Sequence, residues 1–325
     1  MLAVVIEGAG GPEVLAIRDV PAPEPGPEQV RVRVRAAGLS RADVLQRRGQ
    51  YPAPPGSPAD IPDLEFAGEV ESVGPGVRGV APGDRVYGIS GGGAQAEYIV
   101  THERLLAPVP EALDWTAAGG VPEVFMTVYD ALFAQAELGM GESLLIHAVG
   151  SGIGTTAVQL ARAAGARTFG TSRTPAKLER ARALGLDVAL SATGFAERVR
   201  AETGGQGVDV ILDVVGGPYL ADNLAALALR GRIVVLAAMG GGNAPLPMGL
   251  LMSKRARLMG SVLRARPLEE KIEVTRAFAR HVNPLLAASR VRPIIDRVFD
   301  LREVAAAHAY LESDASFGKV VLRVA

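Results

Sequence analysis

The 325-residue sequence predicts an α/β fold in which a six-stranded, doubly wound parallel sheet interrupts an irregular, mostly β barrel. Three observations carry this expectation. The chain is too long for one ordinary core and suits two. Up to about residue 115 it reads as short strands broken by Pro and Gly, and beyond Val121 helices alternate with continuous apolar strands. The second pattern is that of a parallel sheet covered on both faces.

In the barrel portion, residues 29–36 (QVRVRVRA) alternate Arg with Val at period two and predict a half-buried strand. Turns follow at Gly74-Pro75-Gly76 and Pro82-Gly83-Asp84, and the Pro-rich stretch 52–62 reads as a loop. In the second portion the expected strands are 143–148, 167–171, 187–190, 208–214, 232–237 and 257–263, with helices such as 155–164 and 175–184 between them. After Leu263 one helical stretch over 268–288 leads to strand-like segments at 292–299 and 319–324. That tail has no βα rhythm and is expected to rejoin the first domain. The boundaries read are 1–120 and 264–325 for the barrel domain and 121–263 for the inserted one.

Composition narrows the chemistry. With no cysteine, the chain has no disulfide, thiolate nucleophile, Fe–S cluster or cysteinyl zinc site. Its 34 basic and 35 acidic side chains leave a formal charge of −1, so no global field draws it to nucleic acid or an anionic membrane. The start MLAVVIEGAGG lacks the segments of a secretion signal, and no run of about 20 apolar residues occurs, which makes a cytoplasmic location the expectation. His102, His147, His281 and His308 are scattered without the spacing of a metal cluster and read as structural, with His147 the exception to watch because it ends the strand before the glycine turn. The basic residues Lys254, Arg255, Arg257, Arg264 and Arg266 alternate with apolar ones, a sheet-like pattern rather than a nucleic-acid surface.

The segment after the first inserted strand reads Val149-Gly150-Ser151-Gly152-Ile153-Gly154 and opens a helix. A glycine-rich turn between strand and helix brings backbone N–H groups and the positive end of the helix dipole to a diphosphate, so this is read as a dinucleotide site. An NAD site places an acid near the end of the second strand, about 20 residues on, to bind the ribose hydroxyls. Here that strand ends Gly170-Thr171-Ser172-Arg173, with Lys177 one turn into the next helix. A hydroxyl, a guanidinium and an ammonium suit a 2′-phosphate, so the expected cofactor is NADPH.

Stretches along nearly the whole chain carry a resemblance: AAGLSRADVLQRRGQYPAPPG, GDRVYG, VPEVFMTVYD, LLIHAVGSGIGTTAVQLARAAGA, ILDVVGG and GKVVL. On them the sequence resembles the medium-chain dehydrogenase/reductases, and within these the zinc-free quinone oxidoreductases, with Ser151 in the cofactor loop as in the tumour-suppressor-inducible group. The resemblance implies a GroES-like barrel interrupted by a Rossmann domain, an active site in the cleft between them, and a homodimer. It places the ligand positions of zinc-dependent relatives at Ser40, Leu64 and Glu123, beside Glu65, a set that does not make a tetrahedral zinc site. No metal ligand is therefore expected. It puts Ser40, Asp43 and Tyr51 on the catalytic side and Thr127 near the nicotinamide ribose. On the cofactor side it adds Gly150 to Gly154, Ser172, Arg173, Lys177, Gly216, Met239, Gly240, Gly241, Gly242, Ser261, Val262, Leu263, Arg264 and Lys319, and it puts Ala192 where relatives often carry a Tyr. The activity implied is hydride transfer from NADPH to a quinone, with Tyr51 as proton donor or as an aromatic wall. Two alternatives stay open. One is reduction of an activated C=C bond in an enone or enoyl thioester, and the other is a non-catalytic NADPH-binding structural or RNA-associated protein.

Overall fold

The computed structural model describes residues 1–324. The chain divides into two compact units, Met1–Met126 with Leu263–Ala325, and Thr127–Val262. The first is built around a GroES-like, mostly antiparallel sheet, the second around a Rossmann-like parallel one.

The parallel sheet runs, from one edge to the other, Val188–Ser191, Arg167–Ser172, Ser143–Ile146, Val208–Asp213, Leu227–Val235 and Arg257–Gly260, with every neighbouring pair parallel. In chain order this is 3-2-1-4-5-6, so the winding reverses between Ser143–Ile146 and Val208–Asp213. Both faces of the central strands are covered. Leu144, Leu145 and Ile146 are all fully buried in succession, where a half-exposed strand would alternate. On one face Leu145, Phe169, Phe195, Ile211 and Ile233 form a single cluster. Each such side chain contributes about 1.5–3 kcal/mol by leaving water.

Strand ends differ from the sequence expectation for local reasons. The first strand stops at Ile146 because Ala148 turns into the left-handed region at φ +49°. The fifth begins at Leu227 rather than 232, because Leu227 already pairs with Val208 and a register shift separates that pair from Val210 and Arg232. Helix starts move too: the helix after the glycine turn begins at Gly152, since Ser151 caps it.

In the first unit, Gln29–Leu39 is the hub. It pairs antiparallel with Glu65–Val73, with Tyr98–His102 along its first half, and with Lys319–Arg323 along its second. Val30, Val32 and Val34 are buried while the intervening Arg31 and Arg33 are not, as the period-two pattern requires. Ile295–Asp300 lies parallel to Lys319–Arg323, so two strands from the end of the chain complete a sheet begun near its start. The expected single helix over 268–288 is two, Leu268–His281 and Asn283–Ala287, because Pro284 near the second start cannot continue the first ladder. A further helix, Val304–Glu312, was not expected. Its buried Val304, Ala307, His308 and Leu311 have helical spacing.

Candidate functional site

At the reversal point of the parallel sheet, the turn after Ser143–Ile146 is shaped by three residues. Ala148 adopts φ +49°, a conformation that a small side chain tolerates best and that marks a site under constraint. Ser151 is the N-cap of the helix Gly152–Ala163, and its Oγ accepts the Gly154 N–H at 3.0 Å. Gly154 admits no side chain, because a Cβ would stand 2.5 Å from the Val149 carbonyl oxygen and 2.6 Å from that of Ala148. The helix therefore sits directly on the turn, with its positive end at the bend.

The second strand ends in a polar and basic step. Ser172 Oγ accepts the Thr174 N–H at 3.0 Å, which folds the chain into the helix Pro175–Ala183. Arg173 is exposed there, and Lys177 is half-buried in that helix's first turn. The loops after the fourth and fifth strands are joined by backbone hydrogen bonds, Gly240 N–H to the Val215 carbonyl at 2.8 Å and Gly217 N–H to the Gly241 carbonyl at 2.9 Å. Gly216, at φ +85°, would meet Ala238 at 2.8 Å with any Cβ.

A second cluster lies within the first unit. Asp43, Asp63 and Glu65 are fully buried, Glu123 is half-buried, and Lys319 is buried among them. Lys319 Nζ stands 2.5 Å from Glu65 Oε1 and donates to the Leu39 carbonyl at 2.9 Å. Glu65 Oε2 accepts the Glu123 N–H at 2.8 Å. Gly38 makes room for this pair, since a Cβ there would meet Glu65 Oε1 at 2.3 Å. Burial pushes all four carboxyls up, Glu65 to about 7, against the opposing pull of the Lys319 ammonium. Asp63 is raised further by the neighbouring Asp43 and Glu65.

Beside this cluster Arg264 is almost fully buried. It donates to the Gly91 carbonyl at 2.9 Å, the Tyr51 carbonyl at 3.2 Å and Gln46 Oε1 at 2.6 Å, and its guanidinium lies 5.0 Å from the Tyr51 ring centroid. Tyr51 is half-buried, and burial raises its phenol, with Arg264 pulling the other way.

Comparison with known proteins agrees with this architecture. Residues 26–111 match the alcohol dehydrogenase GroES-like domain and residues 152–280 match the zinc-binding dehydrogenase family. The chain is 36% identical to a quinone oxidoreductase of Pseudomonas aeruginosa over 96% of each protein. The chain belongs to the medium-chain dehydrogenase/reductases, in their quinone oxidoreductase family. That membership places it among NAD(P)-dependent oxidoreductases. It is also 38% identical over 97% of its length to the spectinabilin polyketide synthase system protein NorB of Streptomyces orinoci, of which it spans only 14%. Among solved structures, an NAD-dependent alcohol dehydrogenase superposes with TM-score 0.89 at 34% identity, both chains fully covered. A mycobacterial protein solved in complex with NADPH superposes with TM-score 0.89 at 29% identity, again over both full chains.

Against this family frame the sequence-selected residues fall into several groups. Ser172 ends the second parallel strand, and Gly150 to Gly154, Arg173, Lys177, Gly216 and Met239 to Gly242 lie on the turns or first helical turns that follow the parallel strands. Ser261 and Val262 follow the sixth strand, and Gln135 donates to Ser261 Oγ at 2.7 Å. Thr127 is half-buried in the helix Pro122–Tyr129. In the first unit Ser40 and Asp43 meet each other, the Ser40 N–H donating to Asp43 Oδ2 at 2.7 Å as the cap of the helix Arg41–Arg47. Leu263 leads into Arg264, whose donors are engaged by the Tyr51 and Gly91 loops, while Lys319 is engaged by Glu65 and Leu39. Glu65, which the resemblance sets beside the zinc-ligand positions of relatives, is paired with Lys319, which lies more than 250 residues away in sequence where no local pattern could link them.

The zinc that one family name evokes does not suit these residues. Leu64 offers no donor atom, and the Lys319 ammonium already faces Glu65. Among the described residues no group of three or more His, Cys, Asp or Glu side chains is arranged to hold a metal ion, and no helix is long and apolar enough to cross a membrane.

Proposed function

We propose that this chain transfers a hydride from NADPH to a quinone without zinc. The reading rests above all on the end of the second parallel strand, where Ser172, Arg173 and Lys177 stand in place of an acid, beside a helix capped by Ser151. Bound NADPH would supply the hydride. The turn 148–154 would hold its diphosphate, Arg173 and Lys177 its 2′-phosphate, and Gly216, Met239 to Gly242, Ser261 and Val262 the remainder, with Thr127 at the nicotinamide ribose. We read Arg264 and Lys319 in supporting roles: Arg264 holds the loop that carries Tyr51, and Lys319 neutralises the buried carboxylates. Tyr51, kept protonated by burial, would donate to the oxygen on which charge develops in the reduced acceptor. Zinc independence is supported by Ser40 and Leu64, neither of which is a zinc-type ligand.

The same reading extends to a cytoplasmic homodimer. Among the described residues the edge strand Arg257–Gly260 has one side unpaired, and Leu229, Leu258, Met248 and Met252 are exposed in this unit. Similarity to part of a polyketide synthase favours a second reading, reduction of an activated C=C bond in an enone or enoyl thioester.

Calorimetric titration with NADPH and NADH tests the cofactor. Arg173→Ala is expected to weaken NADPH about tenfold or more and leave NADH nearly unchanged. Equal wild-type affinity for both would remove the NADPH assignment. NADPH oxidation against a quinone panel and an enone panel, each with and without a chelator, separates the two acceptors and tests zinc independence.

A further inference from the structure

At the reversal point of the parallel sheet a buried polar chain joins three strand ends. His147, fully buried just beyond the first strand, places Nδ1 2.8 Å from Thr171 Oγ1 at the end of the second. Its Nε2 lies 2.6 Å from Asn223 Oδ1. Asn223 Nδ2 donates to Asp213 Oδ2 at 2.9 Å, and Asp213, which ends the fourth strand, accepts the N–H groups of Val215 at 2.7 Å and Gly216 at 3.1 Å through Oδ1.

The chemistry of the partners fixes the direction of each bond. The Asp213 carboxylate acts as an acceptor, so Asn223 must turn its NH₂ toward it and its carbonyl oxygen toward His147. That oxygen can only accept, so His147 carries its proton on Nε2, and Nδ1 accepts from the Thr171 hydroxyl. Burial lowers the imidazole's affinity for a second proton, against the pull of Asp213, which matches this neutral form. The ring is clamped as well, with its centroid 4.8 Å from both Phe195 and Tyr219 in edge-on packing.

Each end of this chain leads into a different piece of the cofactor site proposed above. His147 adjoins Ala148 and the diphosphate turn, Thr171 adjoins Ser172 and Arg173, and Asp213 holds the loop of Gly216. We infer that His147 is the positioning residue that fixes the spacing of these three loops, acting through Thr171, Asn223 and Asp213 and touching no part of the dinucleotide itself. The inference rests on the nicotinamide dinucleotide reading of this face. A merely structural histidine would support both dinucleotides alike. A spacer tied to the strand that ends in Ser172 and leads into Arg173 matters most to the ligand bearing the extra phosphate.

The experiment compares wild type, His147→Phe, Thr171→Val and Thr171→Ser by calorimetry with NADPH and with NADH, alongside thermal melts and KM and kcat for NADPH oxidation. His147→Phe keeps the ring packing and loses both hydrogen bonds. The expected result is a rise of about tenfold in the NADPH dissociation constant and a several-fold loss of preference over NADH, with KM moving more than kcat. Thr171→Val should do the same to a smaller degree, and Thr171→Ser should restore the preference. Should His147→Phe not fold, the two Thr171 variants decide the matter. Unchanged dissociation constants in the folded variants, or an equal loss for both dinucleotides, would overturn the positioning role. A wild-type protein that binds neither dinucleotide instead removes the reading on which it rests.

Discussion

Lys319 holds its ammonium 2.5 Å from the Glu65 carboxylate, and the two side chains are 4% and 0% exposed. Three other carboxyls, those of Asp43, Asp63 and Glu123, surround this pair, so the Lys319 ammonium moderates four acids in a region shielded from water, with the Arg264 guanidinium also acting on Asp43 and Asp63. Taking away this ammonium leaves Glu65 and Glu123 uncompensated. Lys319→Met is expected to lower stability by about 3–5 kcal/mol, the range for breaking a buried pair from one side. Adding Glu65→Gln to it should recover part of the loss. Urea unfolding of the two variants checks this, and a single variant as stable as the double one would contradict it.

Two buried groups give stability opposite pH slopes. Glu65 titrates near 7 in the folded protein and near 4.5 as an ordinary side chain, so its contribution is full below 4.5 and fades as pH climbs to about 7. His308 is driven down to about 3, first by burial and then by the Arg47 guanidinium at 3.2 Å, so its contribution is full above 6.5 and fades as pH falls toward 3. Relative to Glu65→Gln, wild type should gain stability from pH 7 to pH 5. Relative to His308→Gln it should lose stability over the same interval. Each difference is bounded by about 1.4 kcal/mol per pH unit. Denaturant midpoints at pH 5, 6 and 7 supply the comparison, and a slope of the wrong sign refutes the corresponding assignment.

Tyr51 and Arg264 should separate in kinetics. Tyr51→Phe removes a hydroxyl without reshaping the loop and is expected to reduce kcat with a quinone by about 10²-fold if the phenol donates, within the usual range for a general acid. Full turnover in this variant would assign Tyr51 to the wall of the site. Arg264→Lys loses the forked bonds to Tyr51, Gly91 and Gln46 and should raise KM for the acceptor several-fold while the NADPH dissociation constant holds.

The glycine turn offers a steric test. Gly154→Ala forces a methyl group against two backbone carbonyls that cannot swing away, so loss of NADPH binding and a lower melting temperature are expected together. Ser151→Ala removes only the cap and should destabilise by about 1 kcal/mol. Melting curves with and without NADPH distinguish the two, and a Gly154→Ala protein with wild-type binding would show that the bend is wider than described.

The parallel sheet was legible because its signal is local. Strands such as Ser143–Ile146 are unbroken apolar runs, and the helices between them keep their own period, so type and order could be read without tertiary knowledge. The Gly150 to Gly154 bend and the Ser172–Arg173 step were readable for the same reason. What escaped depends on long-range pairing. Nothing near Glu65 in sequence announces Lys319, and nothing near His147 announces Asn223 or Asp213. The place of His147 before the glycine turn singles it out, but a lone histidine carries no spacing that assigns it a role. Asp213 and Asn223, ten residues apart, look like an ordinary strand end and helix residue until the fold brings the imidazole between Thr171 and the amide. The helix Val304–Glu312 was a different kind of omission, since its apolar spacing is present but its alanine-rich composition gives little contrast between faces.

The antiparallel pairing of Lys319–Arg323 with the strand Gln29–Leu39 has a consequence for biosynthesis. All six parallel strands, Ser143 through Gly260, leave the ribosome before residue 319 has been translated, so that unit can acquire its structure while the nascent chain is still growing. The antiparallel sheet must wait. Until its late strand arrives, the acids near Asp63 have no ammonium beside them and the hub strand keeps the second half of one flank open. This is an interval in which a chaperone, or an errant neighbour, could occupy the vacant edge.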